Sequence, residues 1–201
     1  MKANEIQQVT DFIYESGILS KTPRSGLWFL GTGSQSVAEH TLRTAFIGYA
    51  LGTLTPRADT NTVVLMCLLH DFGEARTSDL NYVHQKYGRL AEAKAIEDVS
   101  RNVPFGKEMK GLYLEQEAGK TPEAKLAKDA DQLEWIATLR EEEVKGNTKA
   151  RSWAEIGWRR LKTPLARRIG RALLATHPDH WWFDVRDTWF VNRKQRDRKW
   201  R

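Results

Sequence analysis

The chain has 201 residues, 40% hydrophobic and 29% charged, a balance that fits a soluble globular protein of one domain and excludes a disordered or collagen-like one. Its longest apolar run, Val63 to Leu69, is far short of the roughly 20 residues that cross a membrane, and the single cysteine, Cys67, excludes an internal disulfide. The formal charge is +6, but residues 192–201, "NRKQRDRKWR", hold six basic side chains against one acid, so most of the excess sits in one segment.

Helical spacing dominates from the start. Ile6, Val9, Phe12 and Ile13 fall on one face of a first helix. That opening stretch has no continuous apolar core of the signal-peptide type, and a cytoplasmic protein is expected. Residues 20–35, "SKTPRSGLWFLGTGSQ", resist a helical reading. They form a Gly- and Ser-rich loop whose Leu27, Trp28, Phe29 and Leu30 anchor it to the core or wall a pocket. "SVAEHTLRTAFIGYALGTL" opens with Ser36 and Glu39 in a capping-box pattern and continues with Val37, Thr41, Ala45 and Gly48 on one face, Leu42 and Tyr49 alongside. A helix capped by Thr60 or Asn61 is predicted to run to about Arg76. Others are predicted at 90–101, 107–118, 122–146, 150–161, 164–175 and 184–194. Pro122 and Pro164 stand where a first turn tolerates proline, and the breakers between helices are short. Strand signals are scarce and no repeat appears. The expectation is one all-α domain, a helical bundle over 1–201.

The chemistry concentrates in "LLHDFGEARTSD", residues 68–79, where His70 and Asp71 end a buried run. Burying ionised groups is costly unless they are paired or bind a metal. Imidazole and carboxylate together suit Zn, Mn, Fe, Co or Ni. Further ligands would come from other helices: His40 in "SVAEHT", and Asp129 or Asp131 in "AKLAKDADQLEWIA", both out of place among apolar neighbours. Position alone does not separate the two aspartates. His84, and His177 and His180 in "THPDHWW", read as structural. The basic segment 192–201 offers nucleic-acid contact or is simply a solvated tail.

The order His40, His70-Asp71 and an aspartate in "KDADQLE" resembles the HD-domain metal-dependent phosphohydrolases. "TPRSGLW", "QSVAEH", "HDFGEARTSD" and "PEAKLAKDADQLE" are similar, in the same order, to four signatures of the branch that acts as 5′-nucleotidases on deoxynucleoside monophosphates. The resemblance covers about residues 20–140 and implies an HD-type helical bundle with its metal-site core there. A helical extension would follow over about 145–194, then the basic tail at 192–201. It implies one divalent ion (Co, Mn, Zn, Fe, Ni or Mg) held by His40, His70, Asp71 and Asp131, the last placed by aligning Lys128 with the motif lysine. It gives Arg24 and Trp28 to the substrate and Glu74 and Asp79 to the chemistry. Glu74 would orient or deprotonate water, and Asp79 would protonate the leaving oxygen or bind the sugar 3′-hydroxyl. It also implies a nucleotide substrate and a homodimer. The chain departs from the pattern at Ser78, where the branch has glycine, and at Leu27, which intervenes before Trp28. The rival activities are another HD hydrolase, cleaving a triphosphate, pyrophosphate or phosphodiester with help from Arg43, Arg76 and Lys128, or a non-enzymatic helical nucleic-acid binder.

Overall fold

The computed structural model describes residues 3–186 and 189–192. In chain order the helices are α1 Ala3–Ser16, α2 Gly26–Leu30, α3 Val37–Leu54, α4 Thr60–Leu69, α5 Glu74–Thr77, α6 Glu92–Arg101, α7 Gly106–Ala118, α8 Pro122–Val144, α9 Ala150–Arg160, α10 Pro164–Ala175 and α11 Trp189–Asn192. Short 3₁₀ turns occupy Gly17–Ser20, His84–Lys86 and Pro178–Trp181. Among the described residues there is no strand, only an isolated bridge between Pro23 and Ser36. No helix among them is long and apolar enough to cross a membrane. The basic segment beyond Asn192, with the end of the helix expected at 184–194, lies outside the described residues.

The helix starts follow local chemistry. Ser36 and Glu39 form both halves of the capping box at α3. Thr121 and Thr163 cap α8 and α10 with proline at the first turn of each. Two expectations need correcting. The helix predicted to run to Arg76 stops at Leu69, where the His70 ring bonds back to the carbonyl of Cys67 at 2.7 Å. A turn over 71–73 then leads into α5, so His70 and Asp71 sit on a bend. The second concerns apolar faces. Leu42 and Tyr49 of α3 are exposed, α1 buries no residue fully, and of the 27–30 set only Leu27 and Leu30 enter the core. Phe12, stacked on Phe72 with centroids 4.9 Å apart, and Glu15, paired with Arg76, hold α1.

The long helix α8 is the spine. It packs against α3, α4, α7, α9 and α10, and its Leu133, Ile136 and Leu139 are wholly inaccessible. A second cluster, Phe72, Ile96, Val99 and Met109 with Val37, supports α5 from α6 and α7. One glycine sets the site's width. A Cβ on Gly48 would lie 2.6 Å from Cys67 Sγ, so only glycine lets α3 and α4 approach this closely. That approach brings His40 of α3 against His70 at the end of α4.

Candidate metal centre

Two helices, α3 and α8, and the bend after α4 bring four side chains together. His40 Nε2 and His70 Nε2 are 3.2 Å apart. Asp71 Oδ2 lies 3.1 Å from His70 Nε2 and 3.5 Å from His40 Nε2, and Asp131 Oδ1 of α8 lies 3.3 Å from His40 Nε2. His40, His70 and Asp131 form a group whose ligand atoms all fall within 4.8 Å of one another, and Asp71 borders it through the two imidazoles.

The far side of each ring fixes its tautomer. His70 Nδ1 donates to the carbonyl of Cys67, which can only accept. His40 Nδ1 meets Glu134 Oε2 at 2.6 Å, a carboxylate with zero exposure. In their neutral form the two rings therefore turn an Nε2 lone pair inward, toward two carboxylates. Four acceptors facing one point need a positive charge between them. The nitrogen and oxygen donors suit a borderline or hard divalent ion, and the partners behind the rings are those that orient metal-binding histidines.

The charges around the cluster carry the same message. Burial opposes charge on His70, yet the Asp71 and Asp131 carboxylates more than offset it and hold its pKa up at about 9. His40 is also raised, its hydrogen bonds with Asp131 and Glu134 outweighing burial and the nearby Arg24. Burial disfavours ionised Asp71 and Asp131, but the histidines keep both below the usual carboxylate range. Glu134 is pulled down to about 2 against its burial by His40 and Arg43. The cluster favours positive charge at its centre.

Around this point a cleft of about 290 Å³ opens, at the low end of small-molecule sites. Arg24, Glu74 and Asp79 all line it. Arg24 Nη1 donates to Asp71 Oδ2 at 3.2 Å, beside the cluster. Glu74 is buried, its Oε2 has no hydrogen-bond partner, and burial together with Asp71 and Asp79 pushes its pKa up to about 9. Asp79 Oδ2 accepts from Ser25 N at 2.5 Å, tying the loop before α2 to the turn after α5.

The two aspartates of α8 part company. Asp131 faces the histidines. Asp129 is buried elsewhere and accepts from the backbone N–H groups of Lys162 and Thr163 at 2.7 and 2.8 Å, holding the start of α10. Trp28 does not line the cleft. It is 61% exposed with its ring near His84, and the cleft's tryptophan is Trp135 of α8. Glu134 was not singled out from sequence, although an acid one turn beyond Asp131, where α8 reads apolar, is the signal that marks it. Tyr82, Glu92 and Arg160 also line the cleft, and no motif announces them.

A family model described as the HD domain matches residues 16–172. The chain is 28% identical, over 73% of its length and 78% of the relative's, to the 5′-deoxynucleotidase hdd1 of Schizosaccharomyces pombe. It is 32% identical to the 5′-deoxynucleotidase HDDC2 of Dictyostelium discoideum, over 51% of the chain and 60% of the relative. Among solved structures, a conserved hypothetical protein from Pyrococcus furiosus superposes with a TM-score of 0.70 at 30% identity, covering 83% of this chain and 99% of that one. A predicted metal-dependent phosphohydrolase from Magnetospirillum magnetotacticum shares the fold, with a TM-score of 0.69 at 24% identity over 86% and 94% of the two chains.

Proposed function

Because the chain belongs to the HD-domain family, we propose that it is a divalent-metal-dependent phosphohydrolase that removes the 5′-phosphate from deoxynucleoside monophosphates. The observation that carries this reading is the convergence of His40, His70 and Asp131, with Asp71 bordering them and Arg24 beside it. The similarity to two 5′-deoxynucleotidases supports the choice of substrate.

His40, His70, Asp71 and Asp131 would hold the ion. A bound divalent ion supplies Lewis-acid polarisation of a phosphoryl oxygen and of water. The rest falls to the chain. Arg24 presents a planar fork suited to bidentate phosphate binding. Hydrolysis makes a new bond from water oxygen to phosphorus and breaks the bond from phosphorus to O5′, whose departing oxygen needs a proton. Glu74, buried in the cleft wall with an unengaged oxygen and a raised pKa, is the group placed to hand a proton to the departing O5′ and, in its ionised form, to take one from water. Asp79 already accepts a backbone N–H, which suits it to accept again from a sugar hydroxyl rather than to act as the acid.

The cleft's charge favours a monophosphate. Five carboxyl groups line it, Asp71, Glu74, Asp79, Glu92 and Asp131, against two guanidinium groups, Arg24 and Arg160. The other cations weighed for a triphosphate are engaged elsewhere: Arg43 with Glu134 and Glu141, Arg76 with Glu15, Lys128 with Glu117. A homodimer belongs to the same reading. Leu42, Phe46 and Tyr49 form an exposed apolar stripe on α3, at the spacing of one helix face, that a second copy could cover.

Product analysis tests the proposal. Nucleoside mono- and triphosphates are incubated with a panel of divalent ions, and phosphate and pyrophosphate are both measured. Phosphate from a deoxynucleoside 5′-monophosphate is expected. Pyrophosphate or triphosphate as the main product would move the protein to another HD activity.

A further inference from the structure

We infer that the outer wall of the cleft, Tyr82 with Arg160, is a nucleobase-binding subsite in which Arg160 selects a nucleotide over a bare sugar phosphate. This rests on the phosphomonoesterase reading above and extends it to the half of the substrate that the metal end does not touch.

Arg160 ends α9, in the C-terminal extension where no motif of the resemblance falls. Its side chain nevertheless lines the same cleft as Arg24 and Asp131. Its Nη1 donates to Tyr82 Oη at 2.5 Å, and its guanidinium carbon stands 4.9 Å from the centre of the Tyr82 ring. The cleft's other arginine, Arg24, is neutralised by Asp71. Arg160 makes no ion pair among the described residues. It spends one of its five N–H donors on a phenol and keeps the others.

The ring is held still while remaining open. Tyr82 is 45% exposed, but the neighbouring Asn81 is buried. Asn81 Oδ1 accepts from the backbone of Val83 and His84, and Asn81 Nδ2 donates to Ser25 Oγ at 3.2 Å. Ser25 is bound in turn to Asp79. The loop bearing Tyr82 is therefore fastened to the loop bearing Arg24. A stacking ring and the phosphate-binding arginine share one rigid frame.

The chemistry of this end differs from that of the metal end. Three carboxamides line the cleft beside its acids, Asn81, Gln85 and Gln132, the last donating to Asp131 Oδ2 at 3.4 Å. Gln132 Oε1 is a buried acceptor with no partner, and Gln85 commits its amide nitrogen to Leu80 O at 2.6 Å. Aromatic surface, an unpaired guanidinium and amide groups fit a flat, uncharged partner with hydrogen-bonding edges, which describes a nucleobase. Arginine donates only, so it would meet the base's carbonyl or ring-nitrogen acceptors.

The test compares metal-loaded wild type and Arg160→Ala on two substrates, deoxyguanosine 5′-monophosphate and deoxyribose 5-phosphate. Arg160 is exposed, so the variant should fold, and a thermal midpoint checks this. The expected result is a KM for the nucleotide raised about tenfold with kcat nearly unchanged, the loss expected for one stacking and hydrogen-bonding partner, while kcat/KM for the sugar phosphate stays the same. Tyr82→Phe, which keeps the ring but frees the guanidinium, should lose less than Arg160→Ala in the same direction. An unchanged preference for the nucleotide, or an equal loss on both substrates, would overturn the subsite and leave the phosphomonoesterase reading standing. Wild type inactive on both substrates would overturn that reading and the subsite with it.

Discussion

At its inner end the cleft is made of side chains fixed on long helices and a tight bend. His40 is wholly inaccessible, His70 and Glu74 are buried, and each imidazole is locked from behind by a carboxylate or a carbonyl. At its outer end Tyr82 stands on a loop, and Arg160 on the last residue of α9, each substantially exposed. The inner end has few ways to change without losing the ion, because every group there also balances a charge. The outer end can vary residue by residue without disturbing the fold. The proposed function assigns reaction type to the first region, and the inferred subsite assigns substrate preference to the second.

Substitutions should respect that division, and the largest effect belongs to the inner end. His70→Ala or Asp71→Ala should abolish both metal content and activity, because ligand loss removes affinity and geometry together. Elemental analysis of the purified variants checks this, and full metal content with full activity would contradict it. Glu74→Ala should retain the ion and bind nucleotide, yet lose turnover by about 10² or more if Glu74 is the general base. Near-normal kcat in a folded, metal-loaded preparation would remove Glu74 from the chemistry.

Glu134→Gln probes the layer behind the ligands. Glu134 fixes His40 and is itself held by Gln35, Arg43 and Thr138. The variant should weaken metal affinity by about 10- to 100-fold, measured by calorimetric titration of the apoprotein, with the ligands untouched. Asp129→Asn should do the reverse. It replaces one of two acceptors facing N–H groups with a donor, costing about 1–3 kcal/mol of stability while leaving metal content intact. Metal loss in that variant would blur the separation of Asp129 from Asp131. The smallest effect is expected at Ser78. It adopts φ 67°, a conformation that glycine accepts without strain. Ser78→Gly should raise stability by about 1 kcal/mol in a denaturant titration.

Much of the inner end was legible in the sequence. The His70-Asp71 pair, His40 behind a capping box and an aspartate in "KDADQLE" are local patterns, and α3, α4 and α8 bring them together. The start of α3 and the proline-led starts of α8 and α10 were legible for the same reason, since caps act within one turn. The bend after Leu69 was not. There the His70 side chain bonds back to the carbonyl of Cys67, which apolar spacing does not announce. Nor could Asp129 be told from Asp131. They are two residues apart in one helix, and only the positions of α10 and His40 assign one to structure and the other to the site. Arg160 was invisible as a cleft residue, because it depends on how α9 packs back along α8. The exposure of Trp28 reflects the single intervening residue, Leu27, which takes the buried direction at that turn of α2.

The central claim is that the inner end is a metal-dependent phosphomonoesterase site. Phosphate release from a deoxynucleoside 5′-monophosphate should be followed in the purified protein, after chelation, and after a divalent ion is restored, with metal content measured at each stage. The account predicts release that disappears with the ion and returns with it, and that stays absent in His70→Ala whatever ion is added. Release that survives complete removal of the ion, or that His70→Ala retains, would contradict it.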